Sequence, residues 1–189
     1  MRILSSLFLI ATAAAAFLSA NGASAQPPCP DLPPIGDTVT CTFVNGQKVL
    51  TAGTATTSGF GTFVVTGYSF NPCQAILQPV RFSSQGGSPT LGSVNTSLAP
   101  ESPATTITGG SATLFPGNLR INLNLNATIS TIGTLRSAQP LQLDAGTITS
   151  IRPKNVSVHQ LAPVNFIDEN NKVRATLINT NVTLNGNGN

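Results

Sequence analysis

Apolar and polar residues alternate along most of this chain, which is the pattern of β-strands that bury one face. The clearest stretch covers residues 119–129, where an apolar residue fills every second position and Asn122, Asn124 and Asn126 stand between them. We predict a single long strand there, with one buried face and one polar face. No amphipathic helical pattern of comparable length occurs in the sequence.

A second alternating stretch begins after residue 36. Three apolar residues alternate there with Thr38, Thr40 and Thr42, and Asn45-Gly46 follows. Because Asn-Gly is favoured in tight hairpin turns, we predict a hairpin whose second strand covers residues 47–51.

Turn-forming residues divide the rest of the chain into shorter elements. Pro116-Gly117-Asn118 predicts a hairpin that joins residues 111–115 to the long strand. Residues 83–103 are rich in Ser, Gly and Pro, so we expect mostly loop there. Asp168-Glu169-Asn170-Asn171 predicts a turn before a final strand, and a shift in the apolar phase of that strand predicts a β-bulge near Leu177.

Short strands with frequent turn signals predict one all-β domain over residues 37–184, an antiparallel β-sandwich or barrel-like domain. A β-solenoid is the alternative. Residues 26–36 are proline-rich and predict an extended leader, and residues 185–189 predict a disordered polar tail.

The first residues have the order of an export signal. Arg2 precedes an apolar run over residues 3–20, and Ala23-Ser24-Ala25 supplies small residues, so we predict a signal peptide over residues 1–25. A membrane anchor is the alternative, although Ser and Thr interrupt the run. We therefore expect a secreted protein, in the periplasm, at the cell surface or outside the cell, with no transmembrane segment after cleavage.

An exported chain with three cysteines is expected to form one disulfide and to leave one thiol. Cys29 and Cys73 lie beside prolines in expected loops, whereas Cys41 faces the core. The spacing does not decide which two of them pair. The odd cysteine could crosslink two chains or remain a buried free thiol.

Charge is scarce, which removes several classes of function. Only 8% of the residues are charged and the formal net charge is +3, whereas an average domain has about 25% charged residues. The basic residues form no tight cluster, so we expect no nucleic-acid binding. His159 is the only histidine and has no acidic pair near it in sequence, so we predict neither a metal site nor a cofactor.

Catalysis has few candidate residues. His159 could act as a general base, and a pair of carboxylates could cleave a glycosidic bond, although nothing in the spacing of the acids selects a pair. A secreted hydrolase is therefore an alternative function, and we assign no catalytic residue.

Uncharged hydrogen-bonding side chains recur on the polar strand faces. These rows comprise Thr38, Thr40, Thr42, Asn122, Asn124, Asn126, Asn179 and Asn181. Such rows can cover the solvent side of a sheet, favour self-association of strands, or bind an uncharged surface such as a polysaccharide or ice. We predict a non-enzymatic protein with a structural or adhesive role at the cell surface or in the extracellular matrix, through self-association or a surface ligand.

Overall fold

The computed structural model describes residues 32–70, 73–109, 117–148 and 154–187. In these ranges the chain forms one 12-stranded sheet whose pairings are antiparallel. The prediction of an all-β antiparallel domain is therefore confirmed. The predicted signal peptide and Cys29 lie outside the described residues. Within them, no helix is long and apolar enough to cross a membrane.

The strands follow one another with short connections. They are β1 (Thr38–Leu50), β2 (Gly53–Phe70), β3 (Cys73–Ser88), β4 (Gly92–Leu98), β5 (Thr105–Gly109), β6 (Gly117–Leu123), β7 (Leu125–Ile129), β8 (Gly133–Ser137), β9 (Leu141–Ile148), β10 (Val156–Gln160), β11 (Val164–Ile167) and β12 (Val173–Asn187).

The sheet closes on itself because β1 pairs with both β2 and β12. Two separate rows of paired strands, here called tiers, connect β3 to β12. One tier consists of β4, β7, β8 and β11, and the other consists of β5, β6, β9 and β10. Each of the eight short strands belongs to one tier, whereas the long strands β1, β2, β3 and β12 contribute to both. This barrel-like architecture encloses one apolar core. The β-solenoid alternative is wrong, because the strands pair with antiparallel neighbours and the sheet closes on itself.

The long alternating stretch forms as predicted, with one interruption. Its apolar side chains from Leu119 to Ile129 are buried, but Asn124 separates β6 from β7. Ser102 Oγ accepts a hydrogen bond from the Asn124 N–H at 3.0 Å and donates one to the Asn124 carbonyl at 2.9 Å. The Ser102 hydroxyl therefore satisfies both backbone groups of Asn124, at the point where the chain passes from β6 in one tier to β7 in the other.

The hairpin predicted at Asn45-Gly46 is wrong, because β1 continues through these residues to Leu50. They form an irregularity in the strand, where the register with β12 shifts between Val44 and Gln47 and the register with β2 shifts between Phe43 and Gly46. A Cβ on Gly46 would lie 2.7 Å from Val182 Cγ1, so the glycine serves close packing inside the closed sheet. The chain turns instead at residues 51–52.

The loop predicted for residues 83–103 is also largely wrong, since β3 extends to Ser88 and β4 follows. Glycine and serine have a packing role here. A Cβ on Gly86 would lie 1.9 Å from the Thr56 carbonyl oxygen, so only glycine allows β2 and β3 to approach this closely.

The last strand bears out one prediction and overturns another. Leu50 pairs with Leu177 and Val49 with Asn179, so Ile178 forms the predicted bulge. However, the strand runs on to Asn187, and Gly186 pairs with Cys41. The prediction of a disordered tail is therefore wrong for residues 185–187, because backbone pairing with β1 orders them without apolar side chains.

The second predicted hairpin has a different partner. Strand β6 pairs with β5, so that Gly117 lies opposite Gly109. The residues proposed as its partner, 111–115, lie outside the described residues.

Candidate ligand site inside the closed sheet

The irregularity in β1 reverses which side chains face the interior. Before it, Val39, Cys41 and Phe43 are buried; after it, Lys48 and Leu50 are buried. An extra residue in one strand re-aims the side chains that follow, because they alternate between the two faces. The irregularity therefore turns a lysine into the core, where only 7% of its surface is exposed.

Two hydroxyl groups receive the buried ammonium. Lys48 Nζ donates to Ser84 Oγ at 2.6 Å and to Thr96 Oγ1 at 3.1 Å. The two hydroxyls also share a hydrogen bond of 2.6 Å with each other. Ser84 lies on β3 and Thr96 on β4, in the segment expected to be loop, and both are buried. We call Lys48, Ser84 and Thr96 the polar site.

Two further threonines satisfy the backbone around the irregularity. Thr57 Oγ1 donates to the Gly46 carbonyl at 3.5 Å, and Thr180 Oγ1 donates to the Gln47 carbonyl at 3.4 Å. Both side chains are buried, and the bulge at Ile178 places Thr180 on the inner face of β12. Since these hydroxyls serve the backbone, they are structural neighbours of the polar site.

A cavity adjoins the polar site. The cavity volume is about 40 Å³, and the whole space between its lining residues, open solvent included, is about 610 Å³. Aliphatic and aromatic side chains make up most of its wall. They are Phe43, Leu50, Phe82, Val94, Leu125, Ala127, Ile129, Leu141, Leu143, Phe166, Leu177 and Val182. The cavity is therefore apolar except where Lys48 and the four hydroxyl side chains line it.

Burial dominates the electrostatics of the polar site. Desolvation lowers the pKa of Lys48 from 10.5 to about 8. Among the described residues, no carboxylate lines the cavity and no ion pair involves Lys48. Lys48 is therefore mostly cationic at neutral pH, and its hydrogen-bond partners among the described residues are two hydroxyl groups.

The threonine row predicted on β1 lies on the outer face. Thr38 is exposed, while Thr40 and Thr42 are half-buried. Thr42 Oγ1 donates to the Asn185 carbonyl at 3.2 Å, and Thr40 Oγ1 lies 3.5 Å from Thr62 Oγ1. These contacts join β1 to its neighbours β12 and β2.

The asparagine rows are divided among different environments. Asn122 and Asn124 donate through their side-chain amides to the Ala104 and Glu101 carbonyls, so they fasten the connection between β4 and β5. Asn126 lines a surface groove beside the turn at residues 168–171. Asn179 and Asn181 are exposed on β12. The structure does not bring these residues together as one surface.

The candidate catalytic residues lie on the outside of the sheet. His159 is exposed on β10, and its Nδ1 lies 3.2 Å from Asn181 Oδ1. Asp144 pairs with His159 in register but forms an ion pair with Arg120 at 3.5 Å. In the predicted turn, Asp168 Oδ1 accepts the backbone N–H groups of Asn170 and Lys172, and the bond from Lys172 is the largest cause of its lowered pKa.

The described cysteines have different states. Cys41 is a free thiol buried in the core, and burial raises its pKa to about 11. Cys73 is disulfide-bonded and does not titrate. Of the two fates open to the odd cysteine, crosslinking and a buried free thiol, Cys41 has the second.

Sequence reasoning missed the whole polar site. A signal was present, since the apolar residues that end at Phe43 occupy odd positions and Leu50 occupies an even one. A turn or a bulge explains such a phase change equally well. A turn at Asn45-Gly46 would also place Lys48 on the inner face, opposite Phe43, but the loop expected at residues 83–103 left Ser84 and Thr96 out of the sheet and so left Lys48 without its partners.

Comparisons with known proteins bear on the fold alone. No protein-family model matches this chain, and no curated protein matches it significantly. Among solved structures, it is similar to DynF from the dynemicin biosynthesis pathway of Micromonospora chersina, with a TM-score of 0.65. The match covers 82% of each chain at 16% sequence identity. At this level of identity, the two chains share an all-β architecture.

Proposed function

We propose that this protein binds a small molecule inside the closed sheet, with the apolar part of the ligand in the cavity and its polar end at Lys48. The observation that carries the proposal is a buried lysine, beside an apolar cavity, to which the described residues give no carboxylate partner. Ligand sites in proteins commonly combine a mostly apolar wall with a few converging polar groups.

The cost of burying Lys48 supports a role beyond folding. A buried charge without an opposite charge destabilises a fold, and an apolar side chain of similar size would avoid that penalty. Ser84 and Thr96 orient the ammonium towards the cavity they line. A group held in this way at the edge of an apolar space is suited to recognising the polar end of a ligand.

Binding fits the described residues better than hydrolysis does. The candidate base His159 lies on the outer face, whereas the cavity and its lysine lie inside. Export, which the first 25 residues predict, would let the protein meet its ligand outside the cytoplasm. The structural or adhesive role stays a prediction that depends on self-association.

The test uses a neutral apolar dye whose fluorescence rises in apolar surroundings. Ala127 is buried against the cavity and Thr128, the next residue of β7, is exposed. We expect Ala127→Phe to fill the space and abolish the fluorescence increase, and Thr128→Phe to leave it unchanged. Equal dye binding by both variants would place the dye on the outer surface and overturn the proposal.

A second variant tests the interior site independently, in case Ala127→Phe does not fold. Leu143 lines the cavity, and Leu143→Ala enlarges it. Such truncations cost about 2–5 kcal/mol of stability but leave a cavity that apolar molecules can enter. We expect tighter dye binding by this variant, and unchanged or weaker binding would contradict an interior site.

A further inference from the structure

We propose that the ligand of this cavity is an apolar monocarboxylic acid, whose carboxylate binds Lys48, Ser84 and Thr96. The inference rests on the proposed function, since it names the chemical class that the same site accepts. Charge, hydrogen-bond donors and the composition of the cavity wall support it separately.

The first support is charge. Lys48 brings a cation into the core, and in the described part of the chain no acidic side chain lines the space around it. Attraction between opposite charges is much stronger in such an environment than in water. A ligand carboxylate therefore supplies the counter-charge that the described residues do not place there.

The second support is the number of hydrogen-bond donors. The ammonium of Lys48 has three N–H groups, and the described residues give it two acceptors, Ser84 Oγ and Thr96 Oγ1. The bond between these hydroxyls uses one of their two hydrogens. One N–H and one O–H remain, and a carboxylate has two oxygens that only accept hydrogen bonds.

The third support is the absence of a second charge among the described residues facing Lys48. Uncharged hydroxyls face it from β2, β3, β4 and β12, and apolar side chains face it from β7, β9 and β11. They are Thr57, Ser84, Thr96, Thr180, Leu125, Ala127, Ile129, Leu141, Leu143 and Phe166. A second carboxylate on the ligand would have no partner there, so the site favours one acidic end on an apolar body.

The experiment compares octanoate with octanamide, which has a similar shape and no charge. Isothermal titration calorimetry of the purified protein should give octanoate an affinity about 100-fold higher than that of octanamide, the usual consequence of pairing a buried charge. In Lys48→Met, octanoate should lose about 100-fold, whereas Lys172→Met, which removes an exposed lysine, should leave its affinity unchanged. Ser84→Ala should weaken octanoate by about tenfold through loss of one hydrogen bond.

Two series refine the test. Because Lys48 loses its charge above about pH 8 in the free protein, the affinity for octanoate should fall about tenfold per pH unit above that value, while octanamide should show no such dependence. From butyrate to decanoate, each methylene that fits should add about fourfold in affinity. The length at which this gain stops measures how much tail the cavity accepts.

The outcomes separate this inference from the proposed function. If octanamide and octanoate bind equally, or if Lys48→Met binds octanoate as the parent does, the carboxylate assignment is wrong while an interior site stands. If the neutral dye binds inside and no monocarboxylate binds, the assignment is again wrong. If neither the dye nor any member of the series enters the interior, the proposed function fails as well.

Discussion

Lys48 on β1 donates a hydrogen bond of 2.6 Å to Ser84 on β3, although β2 lies between their strands. The contact crosses the interior of the closed sheet next to Gly59, the β2 residue that pairs with Ser84. A Cβ at Gly59 would lie 2.7 Å from Ser84 Cβ. A small residue on the middle strand thus lets its neighbours' side chains meet, and the polar site depends on that approach.

Replacing the buried lysine should stabilise the protein. The folded chain holds the pKa of Lys48 at about 8 instead of 10.5, which corresponds to about 3 kcal/mol of unfavourable burial at neutral pH. We expect Lys48→Met to raise the free energy of unfolding by about 1–3 kcal/mol at neutral pH, measured by denaturant titration. The exposed Lys172→Met is the matched control and should change it little.

The pH dependence of this difference has a definite sign. Between about pH 8 and 10.5 the unfolded chain keeps the proton on Lys48 and the folded chain loses it, so the stability of the parent protein rises with pH. The advantage of Lys48→Met should therefore shrink across this range. A constant advantage, or a variant less stable than the parent at neutral pH, would contradict burial of an unpaired cation.

The sequence predicts the buried face of β6 and β7, but it does not predict the surroundings of Lys48. The alternation from Leu119 to Ile129 identified the inner face of β6 and β7, since apolar periodicity fixes which side chains are buried. The same periodicity could not show what Lys48 contacts, because Ser84 and Thr96 lie on strands that are distant from it in sequence. Asn-Gly fits a hairpin turn as well as the irregularity within β1, and only pairing with β12 distinguishes them.

Small residues explain the rest of the missed site. Ser, Gly and Thr in residues 83–98 are typical of loops, yet here they let backbones pack closely and point hydroxyls inward. Such a role depends on distant strands and leaves no local signal. The spacing of Val94 and Thr96, two residues apart, is the local sequence signal for the inner face of β4.

Two glycine-to-alanine substitutions should distinguish the steric clash of an added Cβ from the effect of replacing glycine in a strand. In Gly86→Ala the new Cβ would lie 1.9 Å from a backbone oxygen of Thr56, whereas in Gly67→Ala it would meet nothing within 4 Å. We expect Gly86→Ala to cost about 3 kcal/mol or more, or to prevent folding, and Gly67→Ala to stay within about 1 kcal/mol of the parent. Thermal unfolding followed by circular dichroism measures both, and similar midpoints would refute the close approach of β2 and β3.

The thiol of Cys41 should be unreactive in the folded protein. Burial raises its pKa to about 11, so the thiolate is scarce and shielded at neutral pH. Iodoacetamide should modify Cys41 only after unfolding in guanidinium, as mass spectrometry of the digested protein would show. Without reductant, Cys73 should be recovered in a disulfide. Rapid native labelling of Cys41, or its recovery in a disulfide, would contradict this assignment.

Self-association through the edges of β1 and β12 should be weak. These strands pair with each other from Thr40 and Asn187 to Leu50 and Leu177, so their edges are already occupied. Light scattering coupled to size exclusion should therefore find a monomer. Polymers that persist when reductant is added would instead favour the structural role that the Thr and Asn rows predict.

A crystal structure of the protein grown with octanoate tests the central claim most directly. We expect the carboxylate within hydrogen-bond distance of Lys48 Nζ, with one oxygen near Ser84 Oγ or Thr96 Oγ1 and the tail among the apolar side chains of the cavity. Octanoate bound only on the outer face, or a crystal in which saturating octanoate leaves the cavity unchanged, would contradict an interior acid-binding site.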